Sequence, residues 1–220
     1  MEQYKDYVGK EIPMNESCIC FWESMWFISE INPTHFFFEI PLLKKEYLDI
    51  FIKETGVTPI MIDSALVSAQ SRKRYYFPNW KVEQPQDMGI TLDTIIPTAK
   101  AYSYHGTKNP KFGQPGEFKW GVKKYITRKD GKMNTLVTSW TTTNKVIFPD
   151  GTSRVITVEE GEQLMGYDAG HLDVVGLTKT DKQRILGNGW SVPVIEHIFK
   201  SIPKLKKYLV ITNETPTFTS

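Results

Sequence analysis

In this chain of 220 residues, the stretch Ser68 to Asn79, SAQSRKRYYFPN, is the strongest indication of the fold. Successive side chains of an extended segment point to opposite faces, so Gln70, Arg72 and Arg74 are expected to line one face together. Two guanidiniums would then flank an amide, and each guanidinium offers a planar fork of donors that suits phosphates and base edges. The alternative is an exposed basic strand that binds nothing.

Two further stretches flank this segment along the chain. FFFEI, from Phe36 to Ile40, precedes it, and LGNGWSVPVIEHIF, from Leu186 to Phe199, follows it. In this order the three resemble the later motifs of the DNA cytosine-5 methyltransferases: a strand bearing a glutamate, a Gln-x-Arg-x-Arg strand, and a closing Gly-Asn-x-x-Ser-Val-Pro turn and helix. The wording GNGWSVPVI is most similar to the branch that contains the animal de novo enzymes and related phage and bacterial proteins. The resemblance extends from about residue 21 to residue 202.

Two motifs that open this family do not occur in the sequence. They are a glycine-rich Phe-x-Gly-x-Gly turn for S-adenosyl-L-methionine and a Pro-Cys loop that supplies the nucleophile. The two cysteines, Cys18 and Cys20, have no proline before them. We expect both to be small buried core residues, because a free cysteine behaves most often as a small hydrophobe.

The resemblance implies an α/β fold, with a partial Rossmann-like methyltransferase sheet made of the later strands only and a small β-rich target-recognition lobe. We expect residues 1–86 to form the later part of the catalytic domain and residues 87–153 to form the recognition lobe. Residues 154–203 are expected to be a closing segment that returns to the catalytic domain, and residues 204–220 a polar tail.

Sequence periodicity predicts the individual elements. A helix from Asn15 or Ser17 to about Ile31 is apolar around most of its circumference and is expected to be buried on several sides. The FFFEI stretch is predicted to be a strand with parallel neighbours, and an amphipathic helix should end at Gly56. Further strands are predicted at residues 59–62, from residue 67 or 72 to residue 77, and at residues 123–128 and 135–142. Helical segments are predicted after Thr157, at residues 181–186 and after a cap at Ser191.

Positive charge is concentrated in one part of the chain. The net charge is only +2, but residues 98–154 hold 11 Lys/Arg and 3 Asp/Glu, with aromatic residues between the basic ones. This pattern predicts a surface that contacts the phosphates of double-stranded DNA, the alternative being a solvated basic face. The Thr135-Leu136 pair is also similar to a Thr-Leu pair in the recognition region of the family. The expected DNA-binding residues are Gln70, Lys123, Lys124, Arg128, Lys129, Lys132, Thr135 and Thr138.

The resemblance also implies catalytic and cofactor roles. Glu39 matches the acid that holds or protonates N3 of a cytosine rotated out of the duplex. Arg74 matches the arginine that approaches that base and its backbone, Arg72 a supporting arginine, and Gln70 a structural partner. Ile40 and Pro41 replace the Asn and Val that usually follow the acid. Four residues of the closing turn match the part that covers S-adenosyl-L-methionine: Asn188, Trp190, Ser191 and Val192.

Two classes of function follow. The first is the DNA-binding half or subunit of a DNA (cytosine-5-)-methyltransferase, which uses S-adenosyl-L-methionine only jointly with a partner chain that brings the methyl-donor site and the cysteine; a degenerate remnant is a variant of it. The second is a catalytically inactive, methyltransferase-like regulatory protein that binds DNA. The expected partners are double-stranded DNA and a complementary methyltransferase subunit or a second copy of the chain.

Other features narrow the class of protein. The four histidines lie far apart without the spacing of zinc ligands, so no metal is expected. No apolar run has the length of a membrane span and no signal-peptide pattern opens the chain, so we expect no membrane partner. The expected location is the cytoplasm of a prokaryotic or phage-infected cell.

Overall fold

The structure, a computed structural model, describes residues 16–103, 126–138, 140 and 144–203. These residues form two compact units. The first contains residues 16–62, 74–84 and 200–203, and the second contains residues 63–73, 85–103, 126–138, 140 and 144–199. Residues 154–199 share a unit with residues 85–103. The predicted polar tail lies outside the described residues.

The first unit is built around a three-stranded sheet with the strand order β1-β3-β2. Its elements are α1 (Glu16–Ile31), β1 (Glu39–Pro41), α2 (Lys45–Thr55), β2 (Ile60–Asp63) and β3 (Lys73–Tyr76), except that Asp63 and Lys73 belong to the second unit. The prediction of parallel neighbours for FFFEI is wrong for the described residues, because β1 has only three residues and pairs antiparallel with β3. Pro41 ends β1, and proline, which has no amide hydrogen, is confined within sheets to edge strands and strand ends.

The predicted apolar helix is present as α1, but it is less buried than predicted. Phe21 and Trp22 are buried, and the Phe21 ring lies 4.2 Å from the Phe51 ring between centroids. On the same helix Trp26 and Phe27 are 47% and 54% exposed, so the described residues cover only one side of α1. Cys20 is exposed, and its predicted place in the core is therefore wrong.

Helix α2 confirms the predicted amphipathic helix and its end. Gly56 follows its last residue with a φ of 65°, and the Gly56 N–H donates to the carbonyl of Ile52. Glycine adopts this left-handed conformation without the steric cost that a Cβ brings, which is why the helix ends there.

The second unit combines a four-stranded antiparallel sheet with three helices. Its strands are β4 (Lys100–Ser103), β5 (Ile126–Thr127), β6 (Lys145–Ile147) and β7 (Ser153–Val155), in the order β5-β4-β6-β7. The helices are α3 (Val158–Met165), α4 (Lys179–Asn188) and α5 (Val192–Lys200), of which only Lys200 belongs to the first unit. The predicted strand at 135–142 is wrong for residues 135–138, which form an irregular segment. The unit packs around a core that includes Leu92, Ile96, Met133, Leu136, Val146, Leu164, Met165 and Leu186.

Helix α3 begins at the predicted cap. The Thr157 side chain accepts from the Glu160 N–H at 3.2 Å, and the Glu160 carboxylate accepts from the Thr157 N–H at 2.7 Å. The Glu160 carboxylate also holds both terminal nitrogens of Arg154, at 2.6 and 2.7 Å. This capping box fixes the direction in which β7 enters α3.

Thr157→Ala should therefore lower the free energy of unfolding by about 1 kcal/mol, because one helical N–H loses its acceptor. Thr180→Ala, at an exposed threonine within α4, is the matched control and should change stability by less than about 0.5 kcal/mol. Urea unfolding of both variants measures the difference. Equal stability of the two variants would show that the cap contributes nothing.

Candidate functional site

Glu39 and Arg74 form an ion pair on the sheet of the first unit. The Arg74 Nε donates to the Glu39 Oε1 at 2.9 Å. Glu39 lies opposite Tyr76 and Arg74 opposite Pro41, so the two side chains are diagonal neighbours on one face of the β1–β3 pair. The Glu39 and Arg74 side chains are 11% and 18% exposed. The sheet thus brings together the predicted acid and the arginine predicted to contact the base.

This pair carries donors and an acceptor that suit the edge of a pyrimidine. A carboxylate accepts hydrogen bonds from an exocyclic amine such as the N4 amine of cytosine, and a protonated carboxyl donates one. The Arg74 guanidinium has five N–H donors in a fixed plane, which suit a carbonyl oxygen or a phosphate. Partial burial strengthens these interactions, because the local dielectric constant is lower than that of water.

Gln70 is placed differently from the prediction. It has no exposed surface, and it forms an isolated parallel bridge with Met133. Its Oε1 accepts from the Leu136 N–H at 3.1 Å, and its Nε2 donates to the Leu164 carbonyl at 3.3 Å. A side chain without exposed surface cannot contact DNA in this conformation, so the prediction of a DNA contact at Gln70 is corrected to a structural role.

Arg72 is buried as well, with 2% of its surface exposed. Its Nη1 donates to the carbonyl of Leu136 at 3.1 Å, and its Nη2 donates to the carbonyls of Gly187 and Gly189 at 3.1 and 2.9 Å. Gln70, Arg72 and Arg74 were predicted to line one exposed face of a strand. Strand β3 begins only at Lys73, so Gln70 and Arg72 precede it and do not form that row. The guanidinium satisfies backbone acceptors of irregular segments, which sequence periodicity does not reveal.

Lys132 was predicted to contact DNA, but its side chain turns inward. It is 8% exposed, and its ammonium donates to the carbonyls of Ala65 and Ser68 at 2.5 and 3.1 Å and also to that of Ile90. Three backbone carbonyls thus surround the charge, so Lys132 holds the loop at residues 64–68 and does not present its charge to a phosphate. The prediction of a DNA contact at Lys132 is therefore corrected.

The Arg128 guanidinium is bonded to neighbouring side chains of the protein. Its Nε donates to Asp130 Oδ1 at 2.9 Å, its Nη2 bonds the other oxygen of Asp130, and its Nη1 donates to Asn134 at 3.2 Å. The hydrogen bond from Arg128 holds the pKa of Asp130 below its ordinary value. Thr135, another predicted DNA contact, donates its hydroxyl to the Ser71 carbonyl at 2.7 Å.

Of the predicted DNA-binding residues, Lys129 and Thr138 have exposed side chains. Lys123 and Lys124 lie outside the described residues. Among the described residues of that set, Lys129 therefore presents its charge to solvent, whereas Lys132 is buried and Arg128 is paired with Asp130.

The turn predicted to cover a methyl donor joins α4 to α5. Asn188 and Trp190 are exposed, Trp190 by 45%, and Val192 is half-buried. Ser191 is 1% exposed and its hydroxyl has no hydrogen-bond partner, so the expected side-chain cap of α5 is not formed. One exposed amide and one indole do not make a site for a group of the size of S-adenosyl-L-methionine. These four residues alone therefore do not fit that cofactor.

The first unit also has a cleft that the sequence did not predict. It has a volume of about 510 Å³. Asn79, which lines the cleft, accepts from the Phe36 N–H at 3.0 Å and donates to the Thr34 carbonyl at 3.1 Å. The sequence signal nearest to it is the Pro-Asn pair that ends the SAQSRKRYYFPN stretch, which Trp80 follows. The lining residues are Phe36, Thr55, Gly56, Val57, Thr58, Pro78, Asn79, Trp80 and Lys81.

The described residues contain neither a membrane-spanning helix nor a cluster of metal ligands. No helix in that part of the chain combines the length and the apolar content that a membrane crossing requires. No cluster of three or more His, Cys, Asp or Glu side chains suitable for a metal ion occurs among the same residues.

Comparison with solved structures returns methyltransferases. The chain is similar to the Entamoeba histolytica methyltransferase EhMeth, with 17% identity and a TM-score of 0.43 over 77% of this chain and 62% of that one. It is also similar to the Dnmt2 methyltransferase of S. pombe, with 14% identity and a TM-score of 0.49 over 86% of this chain and 72% of that one. The matched region thus spans less than two thirds of the Entamoeba enzyme. No protein-family model matches the chain.

Proposed function

We propose that this chain is the DNA-binding, base-recognising part of a DNA (cytosine-5-)-methyltransferase. The observation that carries the proposal is the ion pair between Glu39 and Arg74 at 2.9 Å. These are the two residues that the motif resemblance assigns to a cytosine rotated out of the duplex. In this proposal β1, β2 and β3 correspond to the later strands of the methyltransferase sheet.

The pair gives the chain two tasks in the reaction. Nucleophilic addition to C6 of cytosine places negative charge on the ring, and a carboxyl group at N3 stabilises that charge by holding or delivering a proton. Glu39 supplies this carboxyl. Arg74 pairs with the ionised Glu39 before the base enters. The entering base displaces Arg74, Glu39 takes up a proton from solvent and shares it with N3, and Arg74 then donates hydrogen bonds to the base or its phosphate.

A second chain completes the enzyme. The sequence has neither a Pro-Cys pair nor the glycine-rich turn, and the four residues of the closing turn do not fit S-adenosyl-L-methionine by themselves. The complementary chain therefore supplies the thiolate and most of the methyl-donor site, and the bound cofactor supplies an electrophilic methyl group. This chain holds the DNA and the extruded base.

The charge distribution supports DNA as the ligand. Residues 98–154 carry 11 basic and 3 acidic side chains, and of the predicted contacts Lys129 and Thr138 are exposed. Phosphate contacts by lysines release counterions, so the affinity falls as the salt concentration rises.

The purified chain should bind a mixed-sequence DNA duplex with a strongly salt-dependent affinity. Lys129→Ala should weaken binding to all sequences alike and reduce the slope of log affinity against log salt by about 1, as expected for one lost phosphate contact. Lys53→Ala, at an exposed lysine of α2, is the control and should leave the slope unchanged. Fluorescence anisotropy at several salt concentrations measures both slopes. An absence of DNA binding, or equal slopes for the two variants, counts against the proposal.

A further inference from the structure

The guanidinium of Arg72 joins two segments of the second unit that are far apart in sequence. One is the segment Thr135 to Thr138, held at the Leu136 carbonyl, and the other is the turn Gly187 to Ser191, held at two glycine carbonyls. Leu136 lies 64 positions after Arg72 in the sequence, and Gly189 lies 117 positions after it. A single planar group therefore fixes both segments in one geometry.

A direct backbone contact couples the same two segments. A Cβ placed on Gly187 would lie 2.6 Å from the Thr138 nitrogen and 2.6 Å from the Val137 carbonyl carbon. Only glycine permits this approach without displacement of one of the two backbones. A shift of the segment 135–138 must therefore displace the turn, or open a gap beside Gly187 that breaks the contacts.

Both coupled segments reach the surface. Val137 is 38% exposed and Thr138 is exposed, while Asn188 and Trp190 are exposed at the other end of the coupling. Gln70 adds a second hold on the first segment, because its Oε1 accepts from the Leu136 N–H at 3.1 Å. Both polar backbone groups of Leu136 are thus bonded to side chains of the Gln70–Arg72 stretch.

We propose that Arg72 is a positioning residue that transmits DNA contact at Thr138 to the turn Gly187 to Ser191. The functional sense of this coupling rests on the proposed function, with Thr138 as a DNA contact, and on the family resemblance, which assigns the turn to the cover of the methyl donor. DNA binding reduces the motion of the segment 135–138, and the Arg72 guanidinium together with the Gly187 contact reduces the motion of the turn.

Hydrogen exchange of the full chain, with and without a mixed-sequence DNA duplex, tests this coupling. In the wild type, DNA should slow exchange in peptides covering 135–138 and also in peptides covering 187–191. Arg72 holds the two segments with two different nitrogens, Nη1 on Leu136 and Nη2 on Gly187 and Gly189. Arg72→Lys keeps the charge but replaces these two nitrogens by one on a flexible stem, so the protection by DNA should remain at 135–138 and be lost at 187–191. Arg184→Lys, the same exchange at an exposed arginine of α4, is the matched control and should behave as the wild type.

Several outcomes overturn the coupling. Protection by DNA at 135–138 alone in the wild type would do so, and so would protection at both segments in Arg72→Lys. If Arg72 had only a structural role, Arg72→Lys would raise the hydrogen-exchange rate at both segments by the same factor with and without DNA.

If Arg72→Lys does not fold, Thr138→Ala is the alternative test. It should reduce the protection by DNA at both segments by the same factor, and a reduction at 135–138 alone would overturn the coupling. Absence of any DNA binding by the wild type refutes both the proposed function and the coupling that rests on it.

Discussion

Replacing Glu39 by glutamine should slow methyl transfer by about 10²- to 10⁴-fold when the chain is assembled with the complementary chain, since this is the usual contribution of a positioned general acid. The loss corresponds to roughly 3 to 5 kcal/mol of activation free energy. Glutamine keeps an oxygen that can accept the bond from Arg74 Nε, so the geometry of the site should persist. Single-turnover methyl transfer on saturating DNA measures the effect on chemistry.

The control measurements separate chemistry from folding. Glu39→Gln should leave DNA affinity and assembly nearly unchanged and should alter the unfolding free energy by no more than about 1 kcal/mol, the value of one ordinary hydrogen bond. Glu46→Gln, at an exposed glutamate of α2, should leave the rate unchanged. An unchanged rate for Glu39→Gln, with a clear loss of stability, would favour the regulatory DNA-binding protein over the methyltransferase part.

Arg72→Leu should lower the free energy of unfolding of the second unit by about 3 to 5 kcal/mol. Each buried carbonyl left without a donor costs about 1 to 3 kcal/mol, and the total should lie in the lower part of the summed range because water can reach the part-buried carbonyl of Gly189. Arg72 is 2% exposed, and three carbonyls lose their donor together. This is a large share of the total stability of a typical domain, which is about 5 to 15 kcal/mol. Denaturant unfolding followed by fluorescence measures it.

The matched control is Arg184→Leu, at an exposed arginine of α4, which should change stability by about 0.5 kcal/mol or less. If the two leucine variants were equally stable, Arg72 would not be a structural link between the two segments. A loss confined to Arg72→Leu would support both the corrected role of Arg72 and the coupling inferred from it.

The elements that sequence predicted well have short-range signals. The end of α2 at Gly56 and the start of α3 at Thr157 depend on residues within one turn of the helix, and both are found. The mixed α/β class is likewise found, because alternating apolar and amphipathic stretches carry that information locally.

The residues whose positions were predicted wrongly are held by contacts with residues distant in the sequence. Gln70 and Lys132 are polar residues in polar stretches, and nothing near them in sequence indicates that they are buried. Their burial follows from backbone groups of irregular segments, such as the Leu164 carbonyl that accepts from Gln70 across 94 positions. Burial without such partners would be costly, so the hydrogen bonds and the burial arise together.

The candidate site was predictable in its residues but not in its geometry. Motif order identified Glu39 and Arg74, but their diagonal contact requires the antiparallel register of β1 and β3, in which Pro41 lies opposite Arg74. That register contradicts the expected parallel neighbours. The sequence pattern is the same for a buried strand in either direction, because both present a run of apolar residues.

Binding of a mismatched cytosine decides whether an extruded base is received beside Glu39 and Arg74. A mismatched base is extruded at a lower cost than a paired one, by up to a few kcal/mol, so the chain should bind a duplex with one mismatched cytosine at least about tenfold more tightly than the fully paired duplex. Arg74→Ala should abolish this preference and leave the affinity for the paired duplex nearly unchanged. Equal affinity of the wild type for the two duplexes, or a preference that survives Arg74→Ala, would rule out a base-recognising role for this pair.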